Sequence, residues 1–334
     1  MQIYFRDLYF LTYSCLLLIA FLTFGTKITD PKVLRMTKTE AKPLPYMERI
    51  KKYYIGLGYD TPYRWAKLDD IPFTSLKKPL SKARIGIITT ASLFNPDNGD
   101  QGPGAPYNGK AKFFTPFAKP ITPFPDVRIS HIAIDRTHTT ASDLASYFPL
   151  SALLRLYKTQ HIGSISPNFY GLPTNRSHRV TIEQDCPRLV SLCKEDRVDA
   201  VVLVPNCPIC HQSTALAASQ LEKAGIPSVL MGSALDIVEH VGVPRLLFSD
   251  FPLGNAAGLP HNIVSQDLIA KMAVDLLCYA IEPRTTVKSP LNWSGELDWK
   301  KDYSNIDQLS ASEVKRLRVE FDKVKKDAKA IKAL

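Results

Sequence analysis

The sequence is poor in cysteine for a fold held together by disulfides. It has six cysteines in 334 residues, whereas small secreted folds that depend on disulfides are much denser in cysteine. Only two of the six form a close pair, and there is no second C-x-x-C or H-x-H pair of the kind that completes a structural zinc site. We therefore expect a cytoplasmic protein in a reducing compartment, with a pair suited to catalysis or metal binding.

The sequence also lacks the signatures of nucleic-acid binding. The formal net charge is +10, but no zinc finger, basic zipper or RNA-binding aromatic motif accompanies the basic residues. These residues are spread along the chain, with one denser run at the C-terminus. A positive field of this kind attracts acidic substrates, partners or anionic lipid. We expect no nucleic-acid partner.

Charge is absent from one N-terminal stretch, residues 8–26. A helix of that length spans about 28 Å, close to the hydrocarbon thickness of a bilayer. No A-x-A-like cleavage site follows, which argues against a secretory signal. Residues 1–35 are therefore either a membrane anchor or an upstream extension of a chain that truly starts at Met36, with a polar, cytoplasmic N-terminus.

The rest of the sequence alternates between strand and helix patterns. "VDAVVLVP" is an apolar run of strand length, "CHQSTALAASQLEKAG" consists of good helix formers, and "IPSVLMG" is the next strand. Such units build parallel sheets covered by helices on both faces. We predict a three-layer, Rossmann-like α/β fold with a mostly parallel sheet over residues 36–309. A charged helix over residues 310–334 is predicted to follow it.

The close pair lies in the segment Cys207-Pro208-Ile209-Cys210-His211, where the central strand gives way to a helix. Ligands of open parallel sheets bind at the carboxyl ends of the strands. The amide groups at a helix start favour a thiolate, and the spacing of the pair allows a disulfide. The histidine is a candidate partner for the thiolate or a proton carrier. We predict that Cys207, Cys210 and His211 are catalytic.

The same sequence motif also occurs in other kinds of site. C-x-x-C-H is also the attachment motif of a c-type haem, but a pair between a buried strand and a helix leaves little room for a porphyrin. Zinc usually takes four ligands and the pair supplies two, so we assign no metal ligands. A non-enzymatic zinc-binding module remains the alternative hypothesis. Two inert buried thiols are a further interpretation, against which the neighbouring Asn206, Pro208 and His211 argue.

Polar residues follow the ends of other predicted strands. "IDRTHTTASD" contains Asp135 and His138, and "FSDFPLGNAAG" contains Asp250 and Asn255. Asn206 directly precedes the cysteine pair. We predict that these five residues bind the substrate, although a network of turns and helix caps would explain the first segment equally well.

Two blocks of the sequence resemble the selenoprotein B family of glycine, betaine, sarcosine and D-proline reductases. "VDAVVLVPNCPICHQSTALAASQLEKAGIPSVLM" resembles its redox segment, in which a strand, selenocysteine-x-x-cysteine, a helix and "GIP" follow one another. "ISHIAIDRTHTTASDLASYFPLSALLRLYKTQHIGSISPNFYG" resembles its second block, with a histidine–aspartate region, "FP" before a helix, and "IGS" leading into a strand. The blocks match in order, within about residues 83–250.

The resemblance implies that Cys207 occupies the selenocysteine position and Cys210 that of the resolving cysteine. It implies reductive cleavage of a carbon–heteroatom bond in a small amine or amino-acid-like substrate by a redox-active dithiol, without a bound cofactor. It also implies a thioredoxin-like electron donor and a pyruvoyl group on a partner subunit, since this chain has no recognisable pyruvoyl-forming site. Cysteine is a weaker nucleophile than selenocysteine, which implies slower or different chemistry.

Overall fold

The centre of the fold is a sheet that contains the strands predicted from "VDAVVLVP" and "IPSVLMG". The computed structural model describes residues 42–102, 108–293 and 299–332. In chain order the strands are β1 (Arg84–Thr89), β2 (Ser92–Leu93), β3 (Phe117–Pro120), β4 (Val127–Arg128), β5 (Ser164–Ile165), β6 (Asn168–Gly171), β7 (Ala200–Val204), β8 (Ser228–Gly232), β9 (Arg245–Phe248) and β10 (Thr285–Lys288).

The main sheet is mostly parallel. Its order is β10-β9-β8-β7-β1-β6-β3, and β5 pairs with the first half of β1. All neighbouring pairs along this order are parallel except β3, which runs antiparallel to β6. Every residue of β7 is buried, as expected for a strand covered on both faces. β2 and β4 form a separate antiparallel pair.

Helices connect the strands. They are α1 (Tyr46–Gly56), α2 (Leu150–Lys158), α3 (His178–Val180), α4 (Cys186–Glu195), α5 (Pro208–Lys223), α6 (Leu235–Val241), α7 (Ile263–Tyr279), α8 (Trp299–Asp302) and α9 (Ala311–Lys332). A π-helical turn over Thr181–Asp185 joins α3 to α4.

The helices form a layer on each face of the sheet. Successive residues of a strand point to opposite faces. Ile85 and Ile87 of β1 accordingly share a hydrophobic cluster with α2 and α7, whereas Ile88 packs with α4 and α5. Further along this second face, α6 packs against β8 and β9. The predicted three-layer α/β fold with a mostly parallel sheet is confirmed.

The predicted charged helix is α9, and it packs against α1 and the turn after it. Phe321 meets the rings of Tyr53 and Tyr54 edge to face, at centroid distances of 6.4 and 5.5 Å. The Arg318 guanidinium donates to the carbonyl oxygen of Leu57 at 3.0 Å. The described residues from 43 onward form one compact unit that includes α9.

The hydrophobic run at residues 8–26, predicted as an anchor or an upstream extension, lies outside the described residues. Across residues 42–102, 108–293 and 299–332, we find no helix with the length and apolar character needed to cross a membrane.

Candidate active site

Cys207 caps the N-terminus of α5, at the carboxyl end of β7. Its backbone is extended (φ −128°, ψ 170°), and its Sγ accepts a hydrogen bond from the Cys210 amide at 3.3 Å. Pro208 takes the first helical position, where a missing N–H removes no helical hydrogen bond. The free amides and the dipole of a helix start both favour negative charge on a sulfur at this position.

The two thiols differ in their access to solvent. Both are free and buried, but Cys207 is 5% exposed and lines a cavity, whereas Cys210 is 0% exposed beneath it. The two sulfurs and one ring nitrogen of His131 all lie within 4.8 Å of one another. The pair is thus an outer and an inner thiol, with an imidazole beside them.

The surroundings of the pair place its negative charge on the inner thiol. Burial opposes ionisation of Cys210, but hydrogen bonds from Cys207, His131 and Thr90 and the charge of His131 outweigh it and hold the pKa of Cys210 well below its usual range. Burial, reinforced by the adjacent Cys210, raises the pKa of Cys207 well above its usual range. The two pKa values are shifted in opposite directions, so ionisation of the reduced pair favours Cys210 over Cys207.

Hydroxyl groups surround the inner sulfur. The Thr174 hydroxyl lies 3.6 Å from Cys210 Sγ and 3.2 Å from His131 Nε2. The Thr90 oxygen accepts hydrogen bonds from the backbone amide and the Nδ2 of Asn206, at 3.2 and 3.1 Å. Because the oxygen of Thr90 is occupied as an acceptor, its proton is free to point at the sulfur. Asn206, predicted to bind substrate, is fully buried and supports this hydroxyl instead.

His211, the predicted partner of the thiolate, turns its ring nitrogens to the backbone. Its Nε2 accepts hydrogen bonds from the amides of Ser233 and Ala234, at 2.9 and 3.2 Å, and its Nδ1 lies 2.8 Å from the Cys207 carbonyl oxygen. A nitrogen that accepts two N–H groups carries no proton, so the proton is on Nδ1. Burial lowers the pKa of His211 to about 4, which keeps the ring neutral. His211 therefore holds the start of α5 in place, and His131 lies beside the thiols.

Cys207 opens on a cavity of about 980 Å³, a size typical of small-molecule sites. Aromatic rings form much of one wall, and they come from α1, the segment after it, and α9: Tyr53, Tyr54, Tyr63, Trp65 and Phe321. Cationic side chains also line it, namely Lys112, Arg136, Arg176, Lys325 and Lys329. The cavity therefore combines an apolar wall with a largely positive rim.

Asp135 and His138, two of the predicted substrate-binding residues, form a hydrogen-bonded chain at this cavity. The His138 Nδ1 lies 3.0 Å from Asp135 Oδ1, and its Nε2 lies 3.3 Å from Asp302 Oδ2. Burial raises the pKa of Asp135, although the hydrogen bond from His138 opposes that change. Both carboxylates line the cavity, so the chain links a buried acid to a more exposed one.

The other two predicted substrate-binding residues, Asp250 and Asn255, contact residues outside the strands of the sheet. Asp250 forms an ion pair with Lys300. Asn255 is fully buried, accepts a hydrogen bond from the Thr139 hydroxyl at 3.2 Å and donates one to the Pro252 carbonyl at 3.1 Å. Neither of these two side chains lines the cavity on which Cys207 opens.

The sequence did not point to His131. The apolar, β-branched pattern of "VRISHIAI" predicts a strand, but β4 ends at Arg128, and the residues after it form an irregular loop that carries His131 to the thiols. The prediction of a longer strand is wrong, because the apolar residues Ile129 and Ile134 are buried by the loop's packing rather than by a sheet. The one feature of the sequence that could have drawn attention to His131 is its position as a polar residue inside an apolar run.

The comparisons with known proteins support the resemblance. D-proline reductase subunit gamma of Acetoanaerobium sticklandii is 28% identical over 145 residues, 43% of this chain and 60% of that protein. The glycine reductase complex component B subunit gamma of Symbiobacterium thermophilum is 25% identical over 217 residues, 63% of this chain and 49% of that protein. The betaine reductase complex component B subunit beta of Peptoclostridium acidaminophilum is 23% identical over 212 residues, with coverages of 63% and 48%.

The predicted resemblance to subunits of these reductase complexes is confirmed. The chain spans about half to three fifths of the length of these relatives. No protein-family model matches the chain, and no solved structure matches it.

Proposed function

We propose that this protein is a dithiol-dependent reductase of the selenoprotein B type. It would cleave a carbon–heteroatom bond of a small amine or amino-acid-like substrate. The main support is the asymmetry of the pair, since Cys207 lines the cavity and Cys210 lies beneath it within reach. The similarity to subunits of reductase complexes supports the reaction class.

The proposed first step is a displacement at carbon. The sulfur of Cys207 attacks the carbon of a bond C–X, the new C–S bond forms, and X leaves with the bonding electrons. The thiol proton of Cys207 passes to the Cys210 thiolate, which acts as an internal base. The chain of Asp135 and His138, at the same cavity, is suited to supply the proton that neutralises the leaving group.

The second step forms the disulfide. The sulfur of Cys210 attacks that of Cys207, the C–S bond breaks, and the carbon takes its electron pair together with the proton of Cys210. The products are R–H, a disulfide and the leaving group as HX, whose proton comes from the Asp135–His138 chain, and the substrate thus gains two electrons from the dithiol. The carbon needs a neighbouring carbonyl-like group to stabilise the electron pair, which in this proposal is the role of a pyruvoyl group on a partner subunit.

The electrons would return by thiol–disulfide exchange. A thioredoxin-like dithiol attacks the Cys207–Cys210 disulfide through a mixed disulfide and is itself left oxidised. The relatives are components of complexes, which supports a role with partner subunits. The requirement for a reduced pair favours a cytoplasmic location, and cell fractionation tests this.

The test is competitive alkylation of the reduced protein. Cys278 is an exposed thiol, so the measurement uses a Cys278→Ser background. We expect limiting iodoacetamide to modify Cys207 before Cys186 and Cys193, because Cys207 lines the cavity and the other two are packed in the core. Peptide mapping after oxidation with diamide should then show a Cys207–Cys210 disulfide. Equal labelling of Cys207 and Cys186 would overturn the proposal.

A further inference from the structure

The junction of β7 and α5 brings together three side chains that can bind a metal ion, those of Cys207, Cys210 and His131. We propose that, in the reduced protein, Cys207, Cys210 and His131 bind one Zn²⁺ ion, with a fourth coordination position that opens on the cavity. This site uses the same thiols as the proposed reductase, but it requires no reductase activity. It goes beyond the sequence, which offered only two of the three ligands.

The distances between the ligand atoms fit a tetrahedral ion after a small adjustment. Zinc lies about 2.3 Å from sulfur and about 2.0 Å from nitrogen, so the ligand atoms of a tetrahedral site are roughly 3.5 to 3.8 Å apart. The three atoms here lie within 4.8 Å of one another. Side-chain movements of about 1 Å would bring them to a common ion.

The surroundings of His131 suit a metal-binding imidazole. Metal-binding histidines usually use one ring nitrogen for the ion and hold the other by a hydrogen bond to a neighbouring group. The Thr174 hydroxyl lies 3.2 Å from His131 Nε2, and one ring nitrogen of His131 lies within 4.8 Å of both sulfurs. The site therefore contains an imidazole held by a hydroxyl group and placed beside both sulfurs.

The electrostatic environment favours a cation held by thiolates. The Cys210 amide at the start of α5 donates to Cys207 Sγ at 3.3 Å, and the Thr174 hydroxyl lies 3.6 Å from Cys210 Sγ, and both contacts stabilise negative charge on the sulfurs. A metal ligand must be deprotonated, so these groups lower the cost of forming the ligand set. Three protein ligands with one open position is the arrangement of zinc sites that bind an exchangeable water or substrate group.

The metal and the disulfide exclude each other. A sulfur that shares its electron pair with Zn²⁺ is not free to attack carbon, and two sulfurs joined to each other supply no thiolate ligands. We therefore expect zinc to protect the pair from alkylation and from oxidation. The metal-bound chain would be an inactive form of the reductase.

The test is a metal titration of the reduced, metal-free full chain with Co²⁺ and then Zn²⁺. We expect one ion per chain, a thiolate-to-cobalt charge-transfer band, and loss of that band when Zn²⁺ displaces Co²⁺. Cys207→Ser and Cys210→Ser should each abolish the band. His131→Ala should weaken zinc binding by about tenfold or more, since even the loss of a supporting contact costs that much.

Controls separate the site from general effects. His240→Ala removes a histidine at the end of α6, and Cys278→Ser removes an exposed thiol, and both should bind zinc as the original chain does. His131→Asn, with a circular dichroism spectrum, guards against a folding defect in the alanine variant. Titration of the diamide-oxidised protein, in which diamide takes two electrons and two protons from the pair, should show no band.

The outcomes distinguish this proposal from the reductase. Absence of the cobalt band, or unchanged zinc affinity in both His131 variants, would overturn the metal site. The reductase proposal fails separately if zinc binds but diamide produces no Cys207–Cys210 disulfide. A His131→Ala chain that loses zinc and still forms the disulfide would support the metal site and leave the thiol chemistry intact.

Discussion

Acidification of the metal-free protein should destabilise it through His211. The ring is fully buried, both of its nitrogens are bonded to backbone groups, and burial lowers its pKa from 6.5 to about 4. In the unfolded chain the same ring binds a proton below about pH 6.5. The unfolded state therefore gains protons first as the pH falls, and this favours unfolding.

The size of the effect follows from the shift. A difference of about 2.5 pKa units corresponds to about 3 kcal/mol of unfolding free energy. This contribution is fully present above about pH 6.5 and is lost as the pH falls from there to about 4. Asp135, Glu222 and Asp236, whose pKa values burial raises, change stability in the opposite direction over part of this range. The contribution of His211 must therefore be isolated by a variant.

His211→Gln is the matched variant, because a glutamine oxygen can still accept the amide hydrogen bonds of Ser233 and Ala234. Urea unfolding at a series of pH values would give the free energy of both proteins. We expect the original chain to lose about 3 kcal/mol relative to the variant between pH 6.5 and 4. The reasoning would be refuted by a parallel pH dependence of the two proteins. It would also be refuted by a His211 imidazole NMR resonance of the folded chain that titrates at or above about 6.5, since a neighbouring thiolate would raise the imidazole pKa.

Three further perturbations probe the site and its frame. His131→Ala should raise the pKa of Cys210 by about two units, because opposite charges about 5 Å apart attract by roughly 3 kcal/mol at an effective dielectric constant of about 20. Thiolate absorbance against pH measures this change, and an unchanged midpoint would contradict it. Glu222→Gln should lower the unfolding free energy by about 3 to 5 kcal/mol in urea, because it leaves the buried Arg245 charge unpaired. A loss below about 1 kcal/mol, which is typical of an exposed ion pair, would contradict this prediction. Phe321→Ala should loosen α9 from α1 and speed the alkylation of Cys207, while the unfolding free energy of the whole protein stays the same. An unchanged alkylation rate would mean that α9 does not restrict the access of the reagent to Cys207.

Local sequence patterns determined the central sheet and the position of the cysteine pair. The apolar run of β7 has the length of one strand, and the residues after it are good helix formers. These two patterns place the cysteine pair at the junction of the strand and the helix. Cys207 and Cys210 are three residues apart at a helix start, and residues with that spacing share a face. Their proximity was therefore readable from the chain alone.

Only the tertiary structure decided what surrounds the pair. His211 follows Cys210 directly, but adjacent residues of a helix do not face the same side, so its ring turns to the backbone of the next strand's loop. His131 reaches the sulfurs from a distant loop, and α1 and α9 close the cavity from the two ends of the described chain. Contacts between distant segments depend on how whole layers pack, and no local pattern of residues records that packing.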